Sequence, residues 1–284
     1  MHSTDTSRYY TSSDGLRLFY HDFAPGTPGT PVICLPGLTR NSRDFDELAS
    51  RLSKSRRVLT PDLRGRGFSD RDPEWRNYHP GTYVKDVWTL LDELKIDKVV
   101  VVGTSLGGLI AMGMAFQNPD RLAGVVMNDV GPEIAAEGLA RIQAYTGRLP
   151  AVSTWAEAIS QTREIYGKWL PGLSDTEWEK MAWRAYREND DGVPVQDIDP
   201  QIGTAVRQVG PQAGNPWDFF AALSNTPTLL LHGVMSDILS PAIIEKMRAR
   251  KKDLQVVDVP DRGHVPLLNE KECISAIDAF IKEL

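Results

Sequence analysis

Cysteine is nearly absent: the 284 residues hold only Cys34 and Cys273. Two cysteines cannot build a disulfide framework in a chain of this size. Each falls in an apolar pattern, so both are expected to be small buried hydrophobes. No Cys/His cluster has the spacing of a zinc site, and no metal is expected. Long hydrophobic runs are missing too. None approaches the roughly 18 apolar residues of a membrane span. The opening MHSTDTSRYYTSSDG is polar and lacks the apolar middle of a signal peptide. Positive charge is not in excess, since 32 Lys and Arg stand against 38 Asp and Glu, a net charge of −6. An acidic surface has no broad attraction for nucleic acid or for anionic lipid. These absences predict a cytoplasmic protein whose partner is a small molecule, with neither nucleic acid nor membrane involved.

What is present is a composition of globular type, with 41% hydrophobic and 25% charged residues. The length suits one large α/β domain or two smaller ones. Up to residue 131, short apolar runs alternate with segments of helical period. Strands are expected at 16–23, 32–35, 57–60, 98–102 and 122–127, with turn signals at Ser-Asp-Gly, Pro36-Gly37 and Pro61. Between them, Phe45, Leu48, Ala49 and Leu52 share a helical face. Tyr83, Val84, Val87, Leu90, Leu91 and Leu94 form a second stripe, with Lys85, Asp86, Asp92 and Glu93 largely opposite. Residues 106–117 predict a helix ended by Asn118-Pro119. The run 99–102 has no polar face, as expected of a parallel strand covered on both sides. This βαβα alternation predicts an α/β fold with a mostly parallel, doubly wound sheet.

The rhythm stops at Gly131-Pro132. Across 132–225 no buried strand is expected, and helix-like patterns are broken by Pro150, Pro171-Gly172, Pro194, Pro200, Pro211 and Pro216. Five of the seven tryptophans gather there, namely Trp155, Trp169, Trp178, Trp183 and Trp217. Aromatics in a short helical insertion are expected first as its own small core, with some presented to a site. Strands at 228–231 and 254–259, with helices at 243–250 and 273–281, then resume the pattern. The chain therefore divides into an α/β core in two parts, 1–131 and 226–284, around a helical insertion at 132–225.

The strongest chemical signal is Gly103-Thr104-Ser105-Leu106-Gly107, followed by Gly108. It leaves the most apolar strand and opens a helix, the strand–turn–helix setting of a nucleophile elbow. In such a turn Gly103 and Gly107 remove side chains that would clash, and Gly108 permits close packing. The helix start supplies backbone N–H groups beside any charge that develops at Ser105. The motif is neither G-x-G-x-x-G nor a P-loop, which argues against phosphate binding.

A serine needs a base, and the base needs an orienting acid. Of five histidines, His2 lies in the polar tail, His21 in a strand, His79 in a polar loop and His232 beside the turn Gly233. His264 follows the last expected strand. It would share one sheet edge with Ser105, the edge where ligands bind in such sheets. Two aspartates follow strands on that edge. Asp237 lies between the Ser105 and His264 elements and gives the chain order Ser, Asp, His. Asp129, after 122–127, is the alternative acid. An oxyanion hole needs two donors. The main-chain N–H of Leu106 is one, and that of Leu38, in the loop where Gly37 lets the chain turn, is the other.

LPGLTRN, PDLRGRGFSD, VVVVGTSLGG, LLLHGVMSDIL and VPDRGHVPLL, in that order, resemble the α/β-hydrolase superfamily over nearly all of the chain outside the insertion. The resemblance implies Ser105 as nucleophile, Asp237 as acid, His264 as base, Leu38 and Leu106 as oxyanion donors, and the insertion as a cap. Asp62, Arg64 and Gly65 match a family loop whose role looks structural. Pro36-Gly37 stands where the family usually has His-Gly. The serine sets the chain apart from branches with an aspartate nucleophile, the haloalkane dehalogenases and epoxide hydrolases.

The function expected is hydrolysis of a carboxylic ester or lactone through an acyl-enzyme, without cofactor. The alternatives are C–C bond hydrolysis of aromatic ring-cleavage products, a perhydrolase-like activity, and ligand reception on the same fold. The aromatic insertion suggests an apolar or aromatic ester. Arg40 and Arg43 flank the Leu38 loop, where a surface position is the default expectation and a substrate carboxylate the other use.

Overall fold

In the computed structural model, which describes residues 6–208 and 214–284, the valine run 99–102 lies at the centre of a sheet. His2 and Pro211 are outside the described residues. The strands are β1 (Ser7–Thr11), β2 (Arg17–Phe23), β3 (Val32–Leu35), β4 (Val58–Pro61), β5 (Val99–Thr104), β6 (Leu122–Asn128), β7 (Tyr186–Glu188), β8 (Pro194–Gln196), β9 (Thr228–Gly233) and β10 (Gln255–Val259). The helices are α1 (Asp46–Leu52), α2 (Pro80–Glu93), α3 (Leu106–Gln117), α4 (Ala136–Tyr145), α5 (Trp155–Tyr166), α6 (Asp175–Ala185), α7 (Gln201–Gln208), α8 (Pro216–Ala221), α9 (Pro241–Arg250) and α10 (Lys271–Lys282).

Eight strands form one sheet in the order β1-β2-β4-β3-β5-β6-β9-β10. From β4 to β10 every neighbouring pair is parallel, while β2 runs antiparallel to both β1 and β4. This is the mostly parallel α/β sheet that the alternation predicts. Successive valines of β5 divide between its faces, as the two-residue period of a strand requires. Val99 and Val101 join one apolar layer, which includes Val84, Val87, Leu90 and Leu91 of α2 and Ile110 and Met114 of α3. Val100 and Val102 join the other, with Leu48 and Leu52 of α1 and Ile277 and Phe280 of α10. Both cysteines are buried, and burial pushes each thiol well above its ordinary value.

One strand and one side chain of the core differ from expectation. β1 lies in the stretch that reads as a polar tail, because only Tyr10 of its five residues is buried and no alternation marks it. Asp86 is buried on α2 rather than solvated, since Arg64 reaches it with two hydrogen bonds of 2.8 and 2.6 Å.

Between β6 and β9 the chain forms α4 to α8 and a separate two-stranded hairpin, β7-β8. Leu170, Trp178 and Met181 make a small apolar cluster of its own. The last helix behaves otherwise. Phe220 of α8 is buried in the main core, and Phe219 packs on Phe116 of α3 with ring centroids 4.7 Å apart. Among the described residues, no helix is long and apolar enough to cross a membrane.

Candidate active site

The register of the sheet decides which side chains meet. Thr104 of β5 is paired with Asn128 of β6, so Ser105 and Asp129 are the next residues on two adjacent parallel strands. Both leave their strands at positive φ, 50° for Ser105 and 53° for Asp129. Left-handed backbone is uncommon in residues other than glycine, and here it turns two side chains sharply off the same edge. The glycines around Ser105 have little freedom to change. A Cβ on Gly103 would lie 2.5 Å from the Gly107 carbonyl carbon, and one on Gly107 would lie 2.1 Å from the Leu35 oxygen.

His264 arrives from the loop after β10. The amide of the preceding Gly263 donates to the Trp169 carbonyl at 2.7 Å. Asn128, beneath Asp129, donates to the Pro266 carbonyl at 2.9 Å and holds the far side of that loop. The His264 ring then lies between two partners, with Nε2 2.8 Å from Ser105 Oγ and Nδ1 2.8 Å from Asp129 Oδ2. Asp129 is fully buried. Its other donors are the Gly233 amide, 3.0 Å from Oδ1, and the Ser236 hydroxyl, 2.6 Å from Oδ2. With the carboxylate as acceptor at Nδ1, the proton sits there and Nε2 accepts from the serine.

This corrects the sequence-based expectation for the acid. Asp237 does not face His264. Both its oxygens are taken by Arg141 of α4, at 2.6 Å from Nε and 2.9 Å from Nη2. The reason is register. Asn128 is paired with Leu231, but β9 continues through His232 and Gly233 before its loop begins. The loop wraps around Asp129 through Gly233 and Ser236, and carries Asp237 outward to α4. Of the other histidines, His232 bonds Asp258 at 2.7 Å, His21 bonds Thr6 at 2.9 Å, and His79 caps α2.

The loop carrying Leu38 has a support that the sequence does not announce. Arg66 is buried, and its Nε donates to the Leu38 carbonyl at 3.0 Å. Its Nη1 donates to the Arg64 carbonyl at 2.7 Å and to the Tyr83 hydroxyl at 3.0 Å. Asp62 accepts from the Ser42 amide at 2.7 Å and the Phe68 amide at 2.9 Å. Burial pushes the Asp62 carboxyl up to about 6 despite those bonds. Asp62 also explains Gly67, where a Cβ would lie 2.0 Å from Oδ2. Arg64 bonds three aspartates, Asp14, Asp72 and Asp86. The only sequence signal for Arg66 is its place in the run Arg-Gly-Arg-Gly.

Ser105 and His264 open into a cavity lined from the core by Gly37, Leu38, Arg40, Asp44 and Phe45 and from the inserted segment by Ile142, Tyr145, Tyr166, Leu170, Met181 and Arg184. Among the described residues no tryptophan lines it, so the aromatic presentation falls to tyrosines. Trp155 and Trp183 instead stack on each other at 3.6 Å, and Trp178 is buried. Arg40 and Arg43 are partly buried rather than freely exposed. Their side chains are 12% and 23% exposed, with Arg40 on Asp44 and Arg43 on Asp197. Leu106 is the first residue of α3, where backbone N–H groups have no intrahelical acceptor.

Comparisons with known proteins agree with this architecture. The family model for the alpha/beta hydrolase fold matches residues 30–271. A crystal structure of an alpha/beta hydrolase from Novosphingobium aromaticivorans superposes with a TM-score of 0.93 at 40% identity, covering 99% of this chain and 100% of that one. The 3-hydroxybutyrate-oligomer hydrolase of Cupriavidus necator is 34% identical over 277 residues, 93% of this chain and 92% of its own. The 2-(acetamidomethylene)succinate hydrolase of Mesorhizobium japonicum is 29% identical over 257 residues, 89% of this chain and 88% of its own.

Proposed function

The chain belongs to the alpha/beta hydrolase fold family and is a hydrolase, and from that premise we propose that it cleaves a carboxylic ester through an acyl-enzyme formed on Ser105. The observation that carries this reading is the continuous line Asp129–His264–Ser105, with both hydrogen bonds at 2.8 Å. Ser105 Oγ attacks the carbonyl carbon as His264 Nε2 takes its proton. Asp129 holds the Nδ1 proton and stabilises the imidazolium. The carbonyl oxygen, now an anion, is held by the Leu38 and Leu106 amides. His264 returns the proton to the leaving alcohol. It then takes one from water as that water attacks the acyl carbon, and gives it to Ser105 Oγ when the Ser–acyl bond breaks and the acid is released.

We read residues 132–225 as a cap over this site. The support is that six cavity-lining residues named above come from this segment. A linear oligomer of a hydroxy acid is joined by ester bonds, so the substrate named for the Cupriavidus relative supports an ester of a small hydroxy acid as the first to test. The apolar lining from Leu38, Phe45, Ile142, Leu170 and Met181 suits a compact aliphatic acyl group.

Ser105→Ala tests the assignment, because it removes one oxygen and leaves the backbone as it is. Turnover of a short-chain ester and labelling by a fluorophosphonate are both expected to vanish, with thermal unfolding unchanged. Ester turnover at the wild-type rate in this variant would refute the nucleophile.

A further inference from the structure

Arg40 is bound on one side only. Its Nε and Nη2 grip the two oxygens of Asp44 at 2.8 and 2.5 Å. Its Nη1 is buried and has no hydrogen-bond partner among the described residues. Burial alone would lower the pKa of the guanidinium, but the charge and hydrogen bonds of Asp44 outweigh it, so the group stays cationic. An unpaired, charged N–H removed from water is costly to a fold and is usually given a partner.

The place of this side chain suggests the partner. A Cβ on Gly37 would lie 3.6 Å from Arg40 Cγ and 3.9 Å from Ser105 Cβ, so the arginine stem and the serine flank the same point. Arg40 lines the cavity over Ser105 and also an adjoining cavity toward Thr146 and Ile165. Tyr145 and Tyr166 line both cavities as well, with their rings edge to face at 6.5 Å. Burial raises the Tyr145 phenol well above its ordinary value, so it keeps its O–H. Around the Ser105 cavity Arg184 is paired with Glu47 at 3.0 Å and Arg40 with Asp44 through Nε and Nη2, while Arg40 Nη1 has no partner among the described residues.

We propose that Arg40, flanked by Tyr145 and Tyr166, forms a carboxylate-binding subsite, and that the ester cleaved at Ser105 carries a free carboxylate a few bonds from its scissile carbonyl. The proposal rests on the ester-hydrolase reading for its substrate class, and on the unpaired guanidinium for the subsite. A carboxylate there completes the hydrogen bonding of Arg40, beside two phenols that are hydrogen-bonded to each other and carry no charge. The subsite selects between esters that are equally reactive in water.

Monoethyl succinate and diethyl succinate present the same scissile bond with and without a carboxylate. At pH 7.5 the wild-type protein is expected to favour the monoester in kcat/KM by about ten- to a hundredfold, the range of a charge-assisted hydrogen bond. Arg40→Met brings that ratio to about one, whatever it does to the diester rate. Asp44→Asn, which removes the competing carboxylate, raises the ratio. A wild-type preference for the diester, or a ratio unmoved by Arg40→Met, overturns the proposal. Calorimetric binding of succinate to the Ser105→Ala protein, and its loss in Ser105→Ala/Arg40→Met, reads the subsite without turnover. Absence of succinate binding overturns the subsite. Binding without turnover of either ester by the wild-type protein leaves the subsite standing and refutes the ester-hydrolase reading instead.

Discussion

Two aspartates, Asp129 and Asp237, leave neighbouring strands at the same edge of the sheet, and each meets a basic side chain. Asp129 meets His264, and Asp237 meets Arg141. In sequence they are near equivalents, each just beyond an apolar strand. The difference lies in where their strands stop. β6 ends level with β5 and sends Asp129 off at positive φ beside Ser105, while β9 runs on before its loop turns away. The nearer aspartate bonds the histidine that meets Ser105, and the farther one joins α4 to the sheet. Neighbourhood in a parallel sheet is therefore set by strand length and register as much as by strand order.

The sharpest way to break that comparison is to replace both carboxylates with amides. Asp129→Asn is expected to lower kcat by about four orders of magnitude, because the amide favours the wrong imidazole tautomer. Asp237→Asn should lower it by less than about tenfold. Steady-state kinetics on one ester, after circular dichroism has shown both variants folded, decides the matter. If Asp237→Asn is the more damaging, the roles drawn from the geometry are wrong.

Stability should show the opposite order of rescue. Asp237→Asn leaves Arg141 without its counter-charge at a largely buried position, which costs about 1–3 kcal/mol and lowers Tm by a few degrees. Arg141→Met added to it should recover part of that loss in a thermal melt, because no unpaired charge remains. No second substitution at Arg141 should restore the turnover lost in Asp129→Asn. Recovery there would mean that the two loops act as one unit.

The smallest effect belongs to a third aspartate that, like Asp237, is paired with arginine. The hydrogen bond from Arg64 holds the Asp14 carboxyl down at about 2, against burial, which pulls it up. A depressed carboxyl stabilises the fold above its ordinary titration range, and that contribution fades as pH falls from about 4 toward 2. Asp14 is 42% exposed at its side chain, so solvent screens the gain. Asp14→Asn should slightly flatten the loss of stability between those pH values in urea titrations, with turnover at neutral pH unchanged.

The central strands and the tight turn at Ser105 were legible because their causes are local. Val99 to Val102 alternate between two apolar layers, and the glycines about Ser105 sit where a Cβ would strike backbone. The choice of acid was not legible, since it depends on the pairing of Asn128 with Leu231, which no spacing within the chain encodes. Arg40 was illegible for a similar reason. Nothing in Leu-Thr-Arg-Asn says that the arginine folds inward onto Asp44, one helical turn ahead. The aromatics of 132–225 follow the first expectation in part, with Trp178 in the segment's small core and Trp183 exposed. Trp155 and Trp183 meet each other, and the cavity takes Tyr145 and Tyr166.

The stretch 62–69 gives the Leu38 loop and the segment between β6 and β9 a common footing. Arg66 grips the Leu38 carbonyl, and Asp62 grips the Ser42 amide. On its other side, the Gly67 amide donates to Asp197, the Asp199 amide donates to Gly65, and Arg66 bridges to Ile198. Exchanging the inserted segment for that of another family member would therefore remove the partners that steady this stretch, and with them the seat of Leu38. Grafts that carry residues 197–199 along with 62–69 keep both attachments in one piece. Those that cut between them disturb the Leu38 side of the cavity while aiming only at the residues facing it from the segment between β6 and β9.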